Sequence, residues 1–325
     1  MTTTTGTLSV RHLTGIDGLT RADVELVLAT ARSFHDVNTR TLKKVPVLRG
    51  RTIVTLFLEA STRTRLSFEL AAKRLSADTI SFTASSSSIS KGETLLDTAR
   101  NIEAMGPDLT VIRHAYAGSA DMLTRVMSGA IVNAGDGAHE HPTQALLDAY
   151  TLLEAFGRRP DEGLAGKTIA IVGDITHSRV ARSNMLALPL LGARVRVAGP
   201  KTMLPPRLDQ YGVDVTSDVD AALDGVDAVM MLRIQKERMK GARMASDRDY
   251  ARSYGLTVER FKRLRDDVVV MHPGPINRAV EIAPEVADHP RSVILKQAEN
   301  GVAVRMAVLY LLALGLARPA AVEGA

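Results

Sequence analysis

The chain has no cysteine and no tryptophan, and only six tyrosines and six phenylalanines among its 325 residues. Without thiols it has no disulfide, no thiolate metal ligand and no cysteine nucleophile, which suits a reducing compartment; a cytoplasmic location is the expectation. With so few aromatics, its cores must be built from Ala, Val, Leu, Ile and Met, a palette suited to buried parallel strands flanked by helices. Charge of one sign is also scarce: 41 Lys+Arg stand against 36 Asp+Glu, a formal +5. No run of Lys/Arg interleaved with aromatics occurs, so no nucleic-acid partner is expected. The arginines are better matched to small anions, because guanidinium forks fit phosphate and carboxylate. The Thr-rich segment Met1 to Gly6 lacks the basic start and apolar core of a signal peptide. The most apolar stretch, Gly301 to Leu316, contains Arg305 and is short for a bilayer, so a buried C-terminal helix is expected and no membrane contact.

What is present is the composition of a soluble globular protein, 45% hydrophobic and 24% charged, long enough for two domains. Short apolar runs rich in β-branched residues alternate with helical patterns. They fall at residues 52–58, 79–82, 109–113 and 130–133, then at 168–172, 194–198, 227–232 and 268–271. Such runs are expected of parallel strands covered on both faces, and the alternation predicts an α/β protein of two doubly wound parallel-sheet domains. The polar segment Gly157 to Gly163 follows a helix over about 141–156 and precedes a fresh strand. We therefore place a first domain at 1–150, a second at 151–290 and a C-terminal helix at 291–325 that packs back on the first domain. The low-complexity patch Ser85 to Ser88 reads as a surface loop.

In open parallel sheets ligands bind beyond the carboxyl ends of the strands, so function is sought in the residues just after each strand. After Leu58 comes Glu59-Ala-Ser-Thr-Arg-Thr-Arg65, then apolar positions at Phe68, Ala71, Ala72 and Leu75 that mark one helix face. Ser61, Thr62, Arg63 and Thr64 thus open a helix, where unpaired N–H groups and the macrodipole favour an anion. An ordinary Ser/Thr N-cap with solvated arginines is the plainer alternative; two hydroxyls and two arginines together argue against it. The Walker pattern is missing, and the strand ending at Val172 runs into Gly173-Asp-Ile-Thr-His-Ser-Arg179 rather than a dinucleotide fingerprint, so no nucleotide cofactor is expected. Arg113 and His114 end another strand. His141-Pro-Thr-Gln144 opens a further helix after the turn Ala134-Gly-Asp-Gly137, where the dipole disfavours a protonated imidazole. No Ser-His-Asp arrangement and no His/Asp/Glu cluster at metal spacing stands out, so no metal is expected.

Ser61-Thr-Arg-Thr-Arg65 with Ser67-Phe-Glu69, Lys91-Gly-Glu-Thr94, His141-Pro-Thr-Gln144 and His272-Pro-Gly-Pro275 resemble the aspartate/ornithine carbamoyltransferases, in order and at family-like distances, from about residue 50 to 310. Within that family the ornithine enzymes typically carry His-Cys-Leu-Pro, whereas this chain has His272-Pro-Gly-Pro275 and no cysteine. Leu232-Arg-Ile-Gln-Lys-Glu-Arg238 and the Lys91 loop look like the aspartate-using members. Arg179 and Arg233, each after a second-half strand, suit the two carboxylates of aspartate.

The resemblance implies an active site in the cleft between the domains and transfer of the carbamoyl group of carbamoyl phosphate to L-aspartate, an early step of pyrimidine biosynthesis. It implies that Ser61, Thr62, Arg63, Thr64 and Arg113 hold the phosphate, and that Thr64, Arg113 and His141 address the carbonyl oxygen. Gln144 and the backbone carbonyls around Pro273, Gly274 and Pro275 would hold the carbamoyl NH2, in a tight turn that a cis Gly274–Pro275 bond would satisfy. Arg179, Arg233 and Gln235 would hold aspartate. Lys91, with Ser87 or Ser88, would reach the site of a neighbouring subunit, which implies a homotrimer with shared sites. A regulatory chain or a dihydroorotase partner has no signature in these residues. With no cofactor and no nucleophile, catalysis rests on direct amine attack, placement of two anions and stabilisation of an oxyanion. Glu59 is a candidate latch toward Arg179 or Arg238. A carbamoyltransferase for another amine such as ornithine, or a non-catalytic anion-binding homologue, stays open at this point.

Overall fold

The computed structural model describes residues 6–83, 92–235 and 246–316. Ser87, Ser88 and Lys91, and likewise Arg238, lie outside the described residues. Contacts divide the chain into two units, one holding described residues 6–146 and 300–316, the other residues 147–299.

The first unit is built on four parallel strands, β1 (Thr52–Phe57), β2 (Asp78–Thr83), β3 (Leu109–His114) and β4 (Ala130–Asp136), in the order β2-β1-β3-β4. Its helices are α1 (Arg21–Thr39), α2 (Thr62–Arg74), α3 (Leu95–Glu103) and α4 (Ser119–Thr124), followed by α5 (Pro142–Ala155), inside which the division falls. Local chemistry sets the helix starts. Thr20 caps α1 in a reciprocal box with Asp23, and Thr94 caps α3 by accepting from the Asp97 amide. The predicted face of α2 is the buried one, with Phe68, Ala71, Ala72 and Leu75 all inaccessible. The expectation of strands covered on both faces holds for β1, β3 and β4 but not for β2. That strand is an edge, and Ile80 is 43% exposed. β4 is the other edge, but the chain at Leu13 bridges its outer side, whereas no further strand pairs with the outer side of β2 among the described residues.

The second unit has five parallel strands, β5 (Thr168–Val172), β6 (Arg194–Ala198), β7 (Asp214–Thr216), β8 (Ala228–Met231) and β9 (Val269–Met271), in the order β7-β6-β5-β8-β9. Helices α6 (Arg179–Leu190), α7 (Val219–Leu223), α8 (Asp247–Tyr254), α9 (Val258–Arg263) and α10 (Pro284–Ala287) accompany them. β7 was not foreseen. It is three residues long with a single apolar side chain, Val215, itself exposed, so it carries no periodic signal.

Helix α11 (Ile294–Leu316) starts seven residues before the apolar stretch, and its 23 residues are long and apolar enough to cross a membrane. Here it is a core element instead. Side chains from Ala303 to Leu309 are all buried, and the Arg305 guanidinium lies over the Phe68 ring, 5.0 Å from its centroid.

In each sheet the order of strands reverses at one point, between β1 and β3 in the first unit and between β5 and β8 in the second. In open α/β sheets the helices that follow such a pair of strands lie on opposite faces, and the crevice this leaves at the carboxyl ends is the place that takes ligands.

Candidate active site

The crevice of the first unit is framed by the segments that leave β1 and β3. β1 leads through Leu58, Glu59 and Ala60 into Ser61, the N-cap of α2. Unlike Thr20 or Thr94, the Ser61 hydroxyl makes no capping hydrogen bond. The first amides of α2 therefore keep their capacity for an anion, with Thr62, Arg63 and Thr64 in the same turn. Thr64 is buried, whereas Thr62 and Arg63 face solvent.

Arg113 stands where the β3–β4 register shifts between Ile112 and His114, an irregularity of the kind that re-aims a side chain. Its side chain is only 11% exposed. One guanidinium nitrogen donates to the Ala134 carbonyl at 3.1 Å, and Nε lies 3.6 Å from the Glu59 carboxylate. The structure thus gives Glu59 a partner, Arg113, within the same unit. Beside it, burial holds the His114 imidazole below its ordinary pKa, against the opposing pull of Glu59 and Asp136. Its Nδ1 accepts from the Tyr116 amide at 3.0 Å.

The turn from β4 into α5 is organised by Asp136, a residue whose role sequence reasoning missed. Its carboxylate accepts from the Gly118 amide at 2.7 Å, the Glu140 amide at 3.1 Å and Asn133 Nδ2 at 2.7 Å, and it faces His139 Nδ1 at 3.0 Å. Burial alone would push this carboxyl up; the hydrogen bonds, led by His139, outweigh it and hold it below its ordinary value. The same contact raises the His139 pKa. Glu140 carries the bracing outward by accepting from the Ile16 amide at 2.8 Å. The product of this bracing is the placement of His141 and Gln144, buried at the start of α5, where the His141 carbonyl accepts from the Gln144 amide at 2.9 Å. The signal was in the sequence as Ala134-Gly-Asp-Gly137, which reads as a flexible turn until the fold supplies its partners.

In the second unit Arg179 and Arg233 come after the two strands that flank the reversal, β5 and β8. Arg179 is 5% exposed and opens α6, capped by the Ser178 hydroxyl, which accepts from the Ala181 amide at 3.1 Å. The loop before it is fixed by buried Asp174, which faces His177 Nδ1 at 2.9 Å and accepts from its amide at 3.2 Å. Arg233 donates to the Gln235 side-chain oxygen at 3.4 Å, so these two predicted residues form one polar pair. The His272-Pro-Gly-Pro275 segment leaves β9 through a cis Gly274–Pro275 bond, with Gly274 at φ +61°, a conformation that suits glycine. Among the described residues no group of three His, Asp or Glu side chains is arranged to hold a metal.

Chemically, the first unit offers an anion cradle flanked by a half-buried guanidinium and an imidazole, and the second offers two guanidinium groups at strand ends. Comparison with known proteins gives this division a context. The model of the aspartate/ornithine carbamoyltransferase carbamoyl-P binding domain matches residues 11–154, and that of the Asp/Orn binding domain matches 165–312. A curated relative from Syntrophotalea carbinolica, an aspartate carbamoyltransferase catalytic subunit, is 54% identical over 305 residues, covering 94% of this chain and 96% of its own. Among solved structures, aspartate transcarbamoylase from Trypanosoma cruzi in complex with carbamoyl phosphate superposes with a TM-score of 0.83 at 30% identity, over 92% of this chain and 94% of that one. The catalytic subunit of M. jannaschii aspartate transcarbamoylase gives 0.80 at 34% identity, over 93% and 98%. With both domain models matched in order and the sheet-end arginines, hydroxyls and imidazole standing where the motifs put them, the chain belongs to the aspartate/ornithine carbamoyltransferase family.

Proposed function

We propose that this chain transfers the carbamoyl group of carbamoyl phosphate to the amine of L-aspartate, giving N-carbamoyl-L-aspartate and phosphate, as an early step of pyrimidine formation. The observation that carries the reading is the pairing of an uncapped, hydroxyl-rich α2 N-terminus with Arg113 in the first unit, in a chain 54% identical to aspartate carbamoyltransferase catalytic subunits. A phosphate oxygen at that N-terminus gains amide, hydroxyl and guanidinium donors at once. Ser61, Thr62, Arg63 and Thr64 hold the phosphate with Arg113. Thr64, Arg113 and His141 donate to the carbamoyl oxygen, on which negative charge grows as the amine attacks. Donors already fixed in place cost no reorganisation at that moment, and this is where the rate enhancement arises. Gln144 and the carbonyls of the Pro273–Pro275 turn accept from the carbamoyl NH2, orienting the carbon for attack. Arg179, Arg233 and Gln235 hold the aspartate carboxylates, and the departing phosphate takes the amine proton. No cofactor enters this scheme.

The proposal extends to assembly and location. The chain acts in the cytoplasm as a homotrimer, with Ser87 or Ser88 and Lys91 serving the site of a neighbouring subunit. Mixing inactive Lys91 and Arg63 variants then restores part of the activity through subunit exchange; no restoration would count against shared sites. Product identity tests the central reading. Purified protein given carbamoyl phosphate with L-aspartate or L-ornithine yields carbamoyl-aspartate and no citrulline; the reverse result overturns it.

A further inference from the structure

The His272-Pro-Gly-Pro275 turn is held by more polar contacts than a turn needs. The side chains of His272 and Glu281 are both fully buried. The Gly274 amide donates to His272 Nδ1 at 2.7 Å. A ring nitrogen that accepts carries no proton, so the imidazole hydrogen sits on Nε2, which lies 3.1 Å from Glu281 Oε1. The same carboxylate oxygen accepts from the Asn277 amide at 2.6 Å. The imidazole and the carboxylate thus clamp the turn from inside, through Gly274, and from its far end, through Asn277. The backbone of His272 is fixed as well. Its amide donates to Gln297 Oε1 at 3.0 Å, Gln297 Nε2 donates to Asp148 Oδ1 at 2.7 Å, and Asp148 Oδ2 accepts from Asn184 at 2.9 Å. Gln297, Asp148 and Asn184 are buried too. Glu281 Oε2 and Asn184 Oδ1 have no partner among the described residues, but every bond that reaches the turn itself is made, and buried bonds of this kind rigidify what they hold.

Peptide geometry identifies the group being held. In the trans peptide joining Pro273 to Gly274 the N–H and C=O point in opposite directions. Anchoring the Gly274 N–H on the His272 ring therefore aims the Pro273 carbonyl away from the ring. We propose that His272, kept in its Nε2–H form by Glu281, is a positioning residue that aims the Pro273 carbonyl at the carbamoyl NH2 and so makes the enzyme read that group. The inference rests on the proposed function, which gives the turn its ligand, and goes beyond it by assigning the residues that set the turn's discrimination.

Acetyl phosphate tests this, because it carries a methyl group where carbamoyl phosphate carries NH2. Two substitutions separate the two ring nitrogens. His272→Asn keeps an acceptor near the Nδ1 position, and His272→Gln keeps a donor near Nε2 but offers Gly274 no acceptor in place. The readouts are the KM for carbamoyl phosphate, the inhibition constant of acetyl phosphate, the KM for aspartate and the melting temperature. Loss of one aimed hydrogen bond is worth about tenfold in affinity. His272→Gln raises the KM for carbamoyl phosphate by about that factor while acetyl phosphate inhibition stays within about twofold, and His272→Asn keeps most of the preference. Equal weakening of both phosphates, or equal behaviour of the two variants, overturns the proposal in favour of a purely structural pair.

A measurement on the parent protein stands even if neither variant folds. Nitrogen-15 shifts of the His272 ring report a bare Nδ1 and a protonated Nε2; the opposite tautomer overturns the assignment. If the parent makes no carbamoyl-aspartate, the functional reading fails. If it does and the preference survives in His272→Gln, only this inference fails.

Discussion

Replacing Arg113 by alanine separates catalysis from architecture. The guanidinium is 11% exposed, donates to the Ala134 carbonyl and lies 3.6 Å from Glu59. The gross attraction of that pair is about 5 kcal/mol at an effective dielectric of 20. Desolvation cancels most of it, so the pair and the hydrogen bond together leave a net structural loss of about 1–3 kcal/mol. A protein stable by about 5–15 kcal/mol survives that change folded. Catalysis loses more. Removing one fixed donor from a developing oxyanion costs about 2.7–4 kcal/mol, or 10²–10³ in turnover. The assay is the initial rate of carbamoyl-aspartate formation under saturating substrates, alongside a urea melt of each protein. Glu59→Gln is the control, since it breaks the same ion pair but leaves the guanidinium. If Arg113 only braces the fold, both variants lose activity alike. Turnover of Arg113→Ala within about tenfold of the parent, in a folded protein, refutes the assignment.

The same geometry predicts other outcomes. Asp136→Asn lowers stability, and the sign with pH is fixed by the depressed carboxyl pKa: its contribution is present above the unfolded value of about 3.9 and is lost as pH falls through the lower folded value. The gap in melting temperature between parent and variant therefore narrows on acidification below about pH 4; a gap that widens there contradicts the network described. Gly137→Ala places a Cβ 2.9 Å from the Ala117 amide nitrogen at a residue with φ +54°. It costs about 1–2 kcal/mol from the left-handed backbone alone, plus the displacement, so an unchanged urea midpoint would be inconsistent with this turn. Tyr250 is 2% exposed, and its hydroxyl has no hydrogen-bond partner among the described residues. Tyr250→Phe leaves stability unchanged or raises it by up to about 1–2 kcal/mol, whereas a clear loss in chemical denaturation would reveal a bond at that oxygen.

The hydroxyl-rich α2 N-terminus was legible because its causes are local. A strand, a turn and an amphipathic helix succeed one another within a few residues, and a helix N-terminus attracts anions wherever it lies. Arg233 was legible for the same reason, as a charge placed directly after an apolar run, and Arg179 as a charge in the segment that follows another. The supports were not. Glu281 is nine residues from His272 across an irregular segment, and Asp148 meets Gln297 at a separation of 149 positions. No periodicity marks such pairs, since neither partner's local pattern depends on the other. Charge pattern alone did not suggest the partner that the structure gives Glu59 within its own unit, Arg113, one strand away.

The sequence by itself determined the alternation of strands and helices, the buried face of α2, the chemistry at each strand end and the family resemblance. Those arise from hydrophobic spacing, capping and motif, which act over one or two turns of chain. Tertiary structure decided the order of strands, and with it that Arg113 flanks the loop after β1 rather than a distant edge. It also decided that β2 is an incompletely covered edge, that the apolar helix α11 is buried core, and that the turn after Asn133 is a braced platform for His141. Each of these depends on which segments pack side by side, and burial and partner choice belong to that packing rather than to any stretch of sequence read alone.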